Sequence, residues 1–179
     1  MKVSSTWIKE WLCRTMLSDQ EMVDAMERAG LEIEQFSYSR KLDEKIVVGL
    51  VKKVAQHPGA DKLHLVQVTV GESEFAIVCG APNVREGMKV VLAQVGATLP
   101  SGDRITKAKL RGEVSEGMLC SERELDLGND HDGIMEVSSD VAVGTPLCDI
   151  YPADGIIDMK TPANRFDVLG VMGLAREVA

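Results

Sequence analysis

Three cations fall at alternate positions in the segment ITKAKLR: Lys107, Lys109 and Arg111. If that segment is a strand, its period of two puts all three on one face, about 6.5–7 Å apart, with Ala108 and Leu110 facing the other way. That separation matches the phosphate step along one nucleic-acid strand. Backed by Arg104 just upstream and by Lys62 at the start of a neighbouring strand, such a row would follow a ribose-phosphate backbone without reading bases. A solvated strand face carrying edge-protecting lysines would leave the same pattern.

Other chemistry is harder to draw from the chain. Gly112-Glu-Val-Ser115-Glu-Gly117 has one residue too many for a G-x-S-x-G nucleophile elbow. Neither a Walker lysine loop nor G-x-G-x-x-G occurs, so a nucleotide phosphate has no glycine-rich cradle. His57 and His64 bracket Pro58-Gly-Ala-Asp61, and His131 lies between Asp130 and Asp132, but H-x-x-x-H is absent. Loop histidines, not metal ligands, are the expectation. Cys13, Cys79, Cys120 and Cys148 are far apart and form no C-x-x-C pair, which predicts reduced thiols, with Cys79 closing a buried strand. No catalytic residue and no metal site are expected.

Charge is unevenly distributed. The net charge of −8 argues against phosphate as a partner for the chain as a whole. Residues 85–111, however, carry six cations against Glu86 and Asp103, whereas residues 112–140 carry nine acids against Arg123 alone. The basic stretch holds the candidate row; the acidic one would suit a basic partner. Two Trp, two Tyr and three Phe are too few to suggest a base-stacking surface.

The elements that must position these residues follow from periodicity. Residues 1–40 read as helical, with Trp7, Ile8, Trp11 and Leu12 on one apolar face, a capping box at Ser18–Glu21, and Gly30 as a stop. The Trp and Met stripe is expected in the core. From 45 to 140 the texture becomes short apolar runs broken by turn residues: 46–54, 63–70, 74–79, 89–95, 105–111 and 133–137 each suit a strand. Together they fit a small barrel of the oligonucleotide/oligosaccharide-binding (OB) type. After residue 144 come Thr145-Pro146 as a helix start, a strand at 155–161 and a helix from Asp167. That helix reaches the last residue without a stop, so the chain is expected to continue. The fold class predicted is α+β: an OB barrel (41–148) inserted into a small split domain (1–40 plus 149–179). The amino terminus lacks a signal peptide's apolar stretch and no run approaches the ~20 residues of a membrane helix, so a cytoplasmic location is expected.

Longer strings carry a family resemblance. H-P-G-A-D-K-L (57–63), I-V-C-G-A-P-N-V-R-E-G (77–87) and K-A-K-L-R-G-E-V-S-E-G-M-L-C-S-E-R-E-L-D-L-G-N-D-H-D-G-I (107–134) resemble the tRNA-binding OB-domain of bacterial phenylalanyl-tRNA synthetase β subunits. V-S-S-T-W-I-K-E-W-L, A-G-L-E-I-E and the final T-P-A-N-R-F-D-V-L-G-V-M-G-L-A-R-E-V-A look like the split domain around it. Gly59 stands where that family often has Asn, and Phe166 where it has Pro. The resemblance implies an N-terminal, non-catalytic tRNA-binding and assembly region. Its candidate tRNA contacts are Lys62, Arg104, Lys107, Lys109, Arg111 and, within the longest motif, Ser115. It further implies partners in tRNA, the α subunit and the rest of the β subunit. ATP and Mg²⁺ would serve the whole α₂β₂ enzyme and not this region, with aminoacylation in the α subunit and editing downstream of residue 179. A free-standing OB tRNA-binding protein and a protein-interaction barrel are the competing readings.

Overall fold

The computed structural model describes residues 1–12 and 17–179; Cys13, named above, lies outside them. In chain order the elements are β1 (Lys2–Ser4), α1 (Ser5–Glu10), α2 (Asp19–Arg28), β2 (Glu32–Tyr38), β3 (Ile46–Gln56), β4 (His64–Val70), β5 (Ser73–Cys79), β6 (Lys89–Gln94), β7 (Ala108–Leu110), β8 (Glu113–Ser115), β9 (Gly117–Leu119), α3 (Leu147–Ile150), β10 (Gly155–Lys160) and α4 (Val171–Val178). They form two compact units, Met1–Arg40 with Ala153–Ala179, and Lys41–Pro152. Residues 149–152, expected in the split domain, fall in the second unit. The reason is α3: Leu147 is fully buried in the second unit's core, and Cys148, Ile150 and Tyr151 pack beside it.

The first unit is a three-stranded antiparallel sheet, β1–β10–β2, with helices packed on it. Ser18 caps α2 through a complete capping box with Glu21. That cap aims Met22, Val23 and Met26 into a core shared with Ile8, Leu12, Ile157, Met159 and Leu174. Gly30 ends the helix at φ +81°, which a side chain would resist. Two expectations fail here. Residues 1–40 are not all helical, because Lys2–Ser4 and Glu32–Tyr38 pair with opposite edges of β10. Nor does the tryptophan stripe enter the core. Ile8 on α1 and Leu12 just after it turn inward, leaving Trp7 60% and Trp11 57% exposed.

The expected carboxy-terminal helix is also interrupted, by a 3-10 turn at Phe166–Val168 before α4 begins. Arg165 holds that turn. Its guanidinium grips the Asp167 carboxylate, bonds Glu177 on α4 at 2.9 Å, and reaches the Ala29 carbonyl at the end of α2. The N-R-F-D motif is thus a brace within the unit, and Phe166 at its centre stays exposed.

The second unit is a five-stranded antiparallel sheet ordered β5–β4–β3–β6–β9. Rows of side chains point inward: Val54, Val66 and Ile77 in one, Val51, Val68 and Phe75 in the next. Strand β6 is buried on both faces. Val90 and Leu92 join that inner cluster, while Val91 and Ala93 join a second one with Ile46, Val48, Leu125 and Leu147. An unbroken apolar run such as VVLA is what a strand with two buried faces requires. Closure comes from residues 115–119. On one side Leu119, Met118 and Gly117 pair with β6. On the other, the Glu116 N–H donates to the Ala76 carbonyl on β5. The result is a nearly closed barrel of OB type, as expected, but residues 133–137 contribute only an isolated bridge, Val90 to Glu136.

Candidate nucleic-acid interface

The segment expected to be a single basic strand is a hairpin. Strands β7 and β8 pair Ala108 with Ser115, Lys109 with Val114 and Leu110 with Glu113. Arg111 and Gly112 form the turn, with φ of +53° and +101°, the positive angles of the two-residue turn that suits strand twist. The predicted row of three cations on one strand face is therefore corrected. Arg111 sits at the hairpin tip, out of line with the strand. Lys107 precedes β7 and is ion-paired with Glu116 at 2.7 Å; that hydrogen bond and charge hold the Glu116 carboxyl below its ordinary range. Only Lys109 keeps the expected place, exposed and directly opposite Val114.

Ser115 is also corrected, from tRNA contact to fastener. It is 3% exposed. Its hydroxyl donates to the Gly117 carbonyl at 2.9 Å and accepts from the Val78 N–H on β5 at 3.1 Å. The hairpin is thereby tied to the edge of β5. Ser115→Ala leaves the Val78 N–H without its partner, and a lost buried hydrogen bond costs about 1–3 kcal/mol. Urea denaturation should show that loss as a lower midpoint at unchanged slope; an unchanged midpoint would remove Ser115 from this role.

One cation not singled out from the sequence, Lys53, joins the hairpin. The β3–β4 register shifts between Val51 and Lys53, and this bulge leaves both Lys52 and Lys53 exposed. Lys53 then begins a cross-strand row, Lys53–Gln67–Ala76, on the outer face of the sheet. Lys53, Ala55, Leu65, Gln67 and Ala76 share one shallow depression with Glu113 and Val114 of the hairpin. Lys62 is exposed in the β3–β4 loop, its carbonyl beside Gly80, the residue after β5 and two past the Ser115 anchor at Val78. These are the surfaces OB barrels use for oligonucleotides: the outer face of the second and third barrel strands, here β4 and β5, between the loop joining the first two strands and the one before the last.

Arg104 is not brought to this face. It stands on the arm whose neighbours Asp103 and Ile105 line a different groove. Among the described residues, no carboxylate lies within 4 Å of Lys52, Lys53, Lys62, Lys109 or Arg111.

What this surface can do is set by what it contains. The second unit's Phe and Tyr residues are Phe75 and Tyr151, both packed against its cores, so neither ring is offered on this face for bases to stack on. Lysines and a guanidinium that are unpaired among the described residues suit phosphate oxygens. The two buried thiols, Cys79 and Cys120, offer no alternative chemistry. Burial pushes Cys120 up to about 12 and also raises Cys79, so both stay protonated at neutral pH. Among the described residues no group of three or more His, Cys, Asp or Glu side chains is placed to hold a metal ion, and no helix is long and apolar enough to cross a membrane.

Comparison with known proteins bears on the same residues. A family model described as a putative tRNA binding domain matches residues 46–146, which run from the first residue of β3 to the residue before α3. The phenylalanine–tRNA ligase β subunits of Hahella chejuensis and Pectobacterium atrosepticum are 46% and 44% identical to this chain over 180 and 181 residues. Each match takes in 100% of this chain and 23% of the relative, so the chain spans less than a quarter of the length of these relatives. Among solved structures, a MetRS related protein from Pyrococcus horikoshii matches 73% of this chain and 96% of its own length, at 25% identity and a TM-score of 0.42.

Proposed function

This chain belongs to the putative tRNA binding domain family, and from that premise we propose that its barrel holds the tRNA of a phenylalanine–tRNA ligase, of whose β subunit the chain is one region. The observation that carries this reading is the set of cations around the β4–β5 face, Lys53, Lys62, Lys109 and Arg111, which are unpaired among the described residues. They meet ribose-phosphate, and the absence of rings on that face makes the contact one of position, not of sequence. The region performs no bond-making step. It supports the ATP- and Mg²⁺-dependent attachment of phenylalanine to tRNA by the whole cytoplasmic α₂β₂ enzyme, whose active site belongs to the α subunit. The first unit serves assembly: Trp7, Trp11, Leu169 and Met172 are each more than half exposed, as surfaces awaiting a partner are.

Salt dependence tests the tRNA contact. Four phosphates neutralised at about 0.7–0.9 each predict a slope of log K against log salt near −3 for tRNA bound to this chain. A slope flatter than about −1 would mean that the cations do not meet phosphates.

A further inference from the structure

A further concavity in the second unit, starting at the end of β5, has the opposite charge. Beyond the Ser115 anchor the barrel seam opens. The end of β5 and the following Gly80–Pro82 form one wall; Met118, Leu119 and Ser121 form the other, enclosing about 1050 Å³. Leu99, Ile105 and Ile134, themselves nearly buried, give it an apolar lining. Asp103, Glu124, Asp126 and Asp132 line it as well, against the single cation Arg123. Glu124 is occupied by the Ser121 N–H and hydroxyl, and Asp103 by the Ser101 hydroxyl. Among the described residues no hydrogen bond or ion pair is made to the carboxylates of Asp126 or Asp132. This groove repels phosphate, so it does not extend the tRNA face. Its volume is at the upper limit of small-molecule sites, roughly 300–1,000 Å³.

We infer that this groove is a docking site for an extended, basic segment of a partner polypeptide. Charge complementarity selects the occupant: apolar residues fill the lining while lysines or arginines at alternate positions reach Asp126 and Asp132.

The test uses the chain as it stands and an acetylated, amidated (Lys-Val)₄ peptide as probe, measured by calorimetry at low salt. Asp126→Asn with Asp132→Asn should weaken binding about tenfold or more, while Glu44→Gln with Glu72→Gln, the same charge change outside the groove, should weaken it less than about twofold. Ser101→Trp, on the exposed rim, narrows the groove without altering charge and should also weaken binding about tenfold, with an unchanged urea midpoint showing that the fold is intact. Equal loss from both acid pairs would reduce the effect to non-specific attraction by an acidic protein and overturn the proposal, as would absence of binding. If Ser101→Trp instead weakens tRNA, the groove belongs to RNA and the peptide assignment falls.

Discussion

A Gly117→Val chain is expected to lose about 3 kcal/mol or more of stability, at the upper end of what overpacking costs, and to bind tRNA weakly even where it stays folded. A Cβ at residue 117 would stand 2.7 Å from the Ala93 carbonyl, 3.1 Å from Leu92 Cδ1 and 3.3 Å from Ile77 Cδ1. The first of these atoms is backbone and cannot retreat without breaking the β6–β9 pairing of Ala93 with Met118. Relief by moving residue 117 instead would pull on Ser115, whose hydroxyl donates to the Gly117 carbonyl. Closure and hairpin position therefore fail together. Thermal or urea unfolding measures the first, tRNA affinity the second. A valine variant as stable as the parent would show that the barrel does not depend on close approach at this point.

The largest functional effect is expected from Lys53→Glu, Lys109→Glu and Arg111→Glu combined. Losing three phosphate contacts flattens the salt slope by roughly 2–3, and converting each attraction to a repulsion lowers affinity on the order of 100-fold or more at moderate salt. Because these side chains are exposed and, among the described residues, unpaired, the fold should be unaffected. Under the proposed function, which puts the ATP-dependent step in the α subunit, the same triple variant of the whole ligase should lower kcat/KM for tRNA while leaving phenylalanine-dependent ATP–pyrophosphate exchange intact. Reversing Arg28, Lys41 and Arg176 instead, which are also exposed and, among the described residues, unpaired, is the charge-matched control. Equal losses from both sets would assign tRNA binding to net charge alone.

How much of this was legible in the chain depends on the kind of signal. The barrel strands were readable where side chains commit to one environment, as in the doubly buried run of β6. The hairpin was not. Its turn is Arg111-Gly112, and turn preference for Asn-Gly or Asp-Gly leaves Arg-Gly unremarkable, so ITKAKLR read as one strand. Lys53 was invisible for a related reason: a bulge changes which face a residue takes and has no compositional mark. Strand β2, EIEQFSY, carries little apolar alternation and owes its existence to pairing with β10, a partner more than a hundred residues away in sequence.

The acidic block shows a further limit, since contiguity in sequence did not survive folding. Glu113 and Glu116 went to the hairpin, Glu136 pairs with Arg85 at 2.5 Å, Asp140 is bonded to Ser138, and Glu124, Asp126 and Asp132 gather at the groove. The motifs at 57–63, 77–87 and 107–134 carried the family, and the match over residues 46–146 agrees with them. They did not carry the geometry of the cations.

The most direct test of the account is an amide NMR titration of the isotopically labelled chain with tRNA. Signals of Lys53, Gln67, Lys62, Lys109 and Arg111 should move or broaden first, while those of Asp126 and Asp132 stay in place. Perturbations centred on residues 121–134, with the hairpin unmoved, would contradict it.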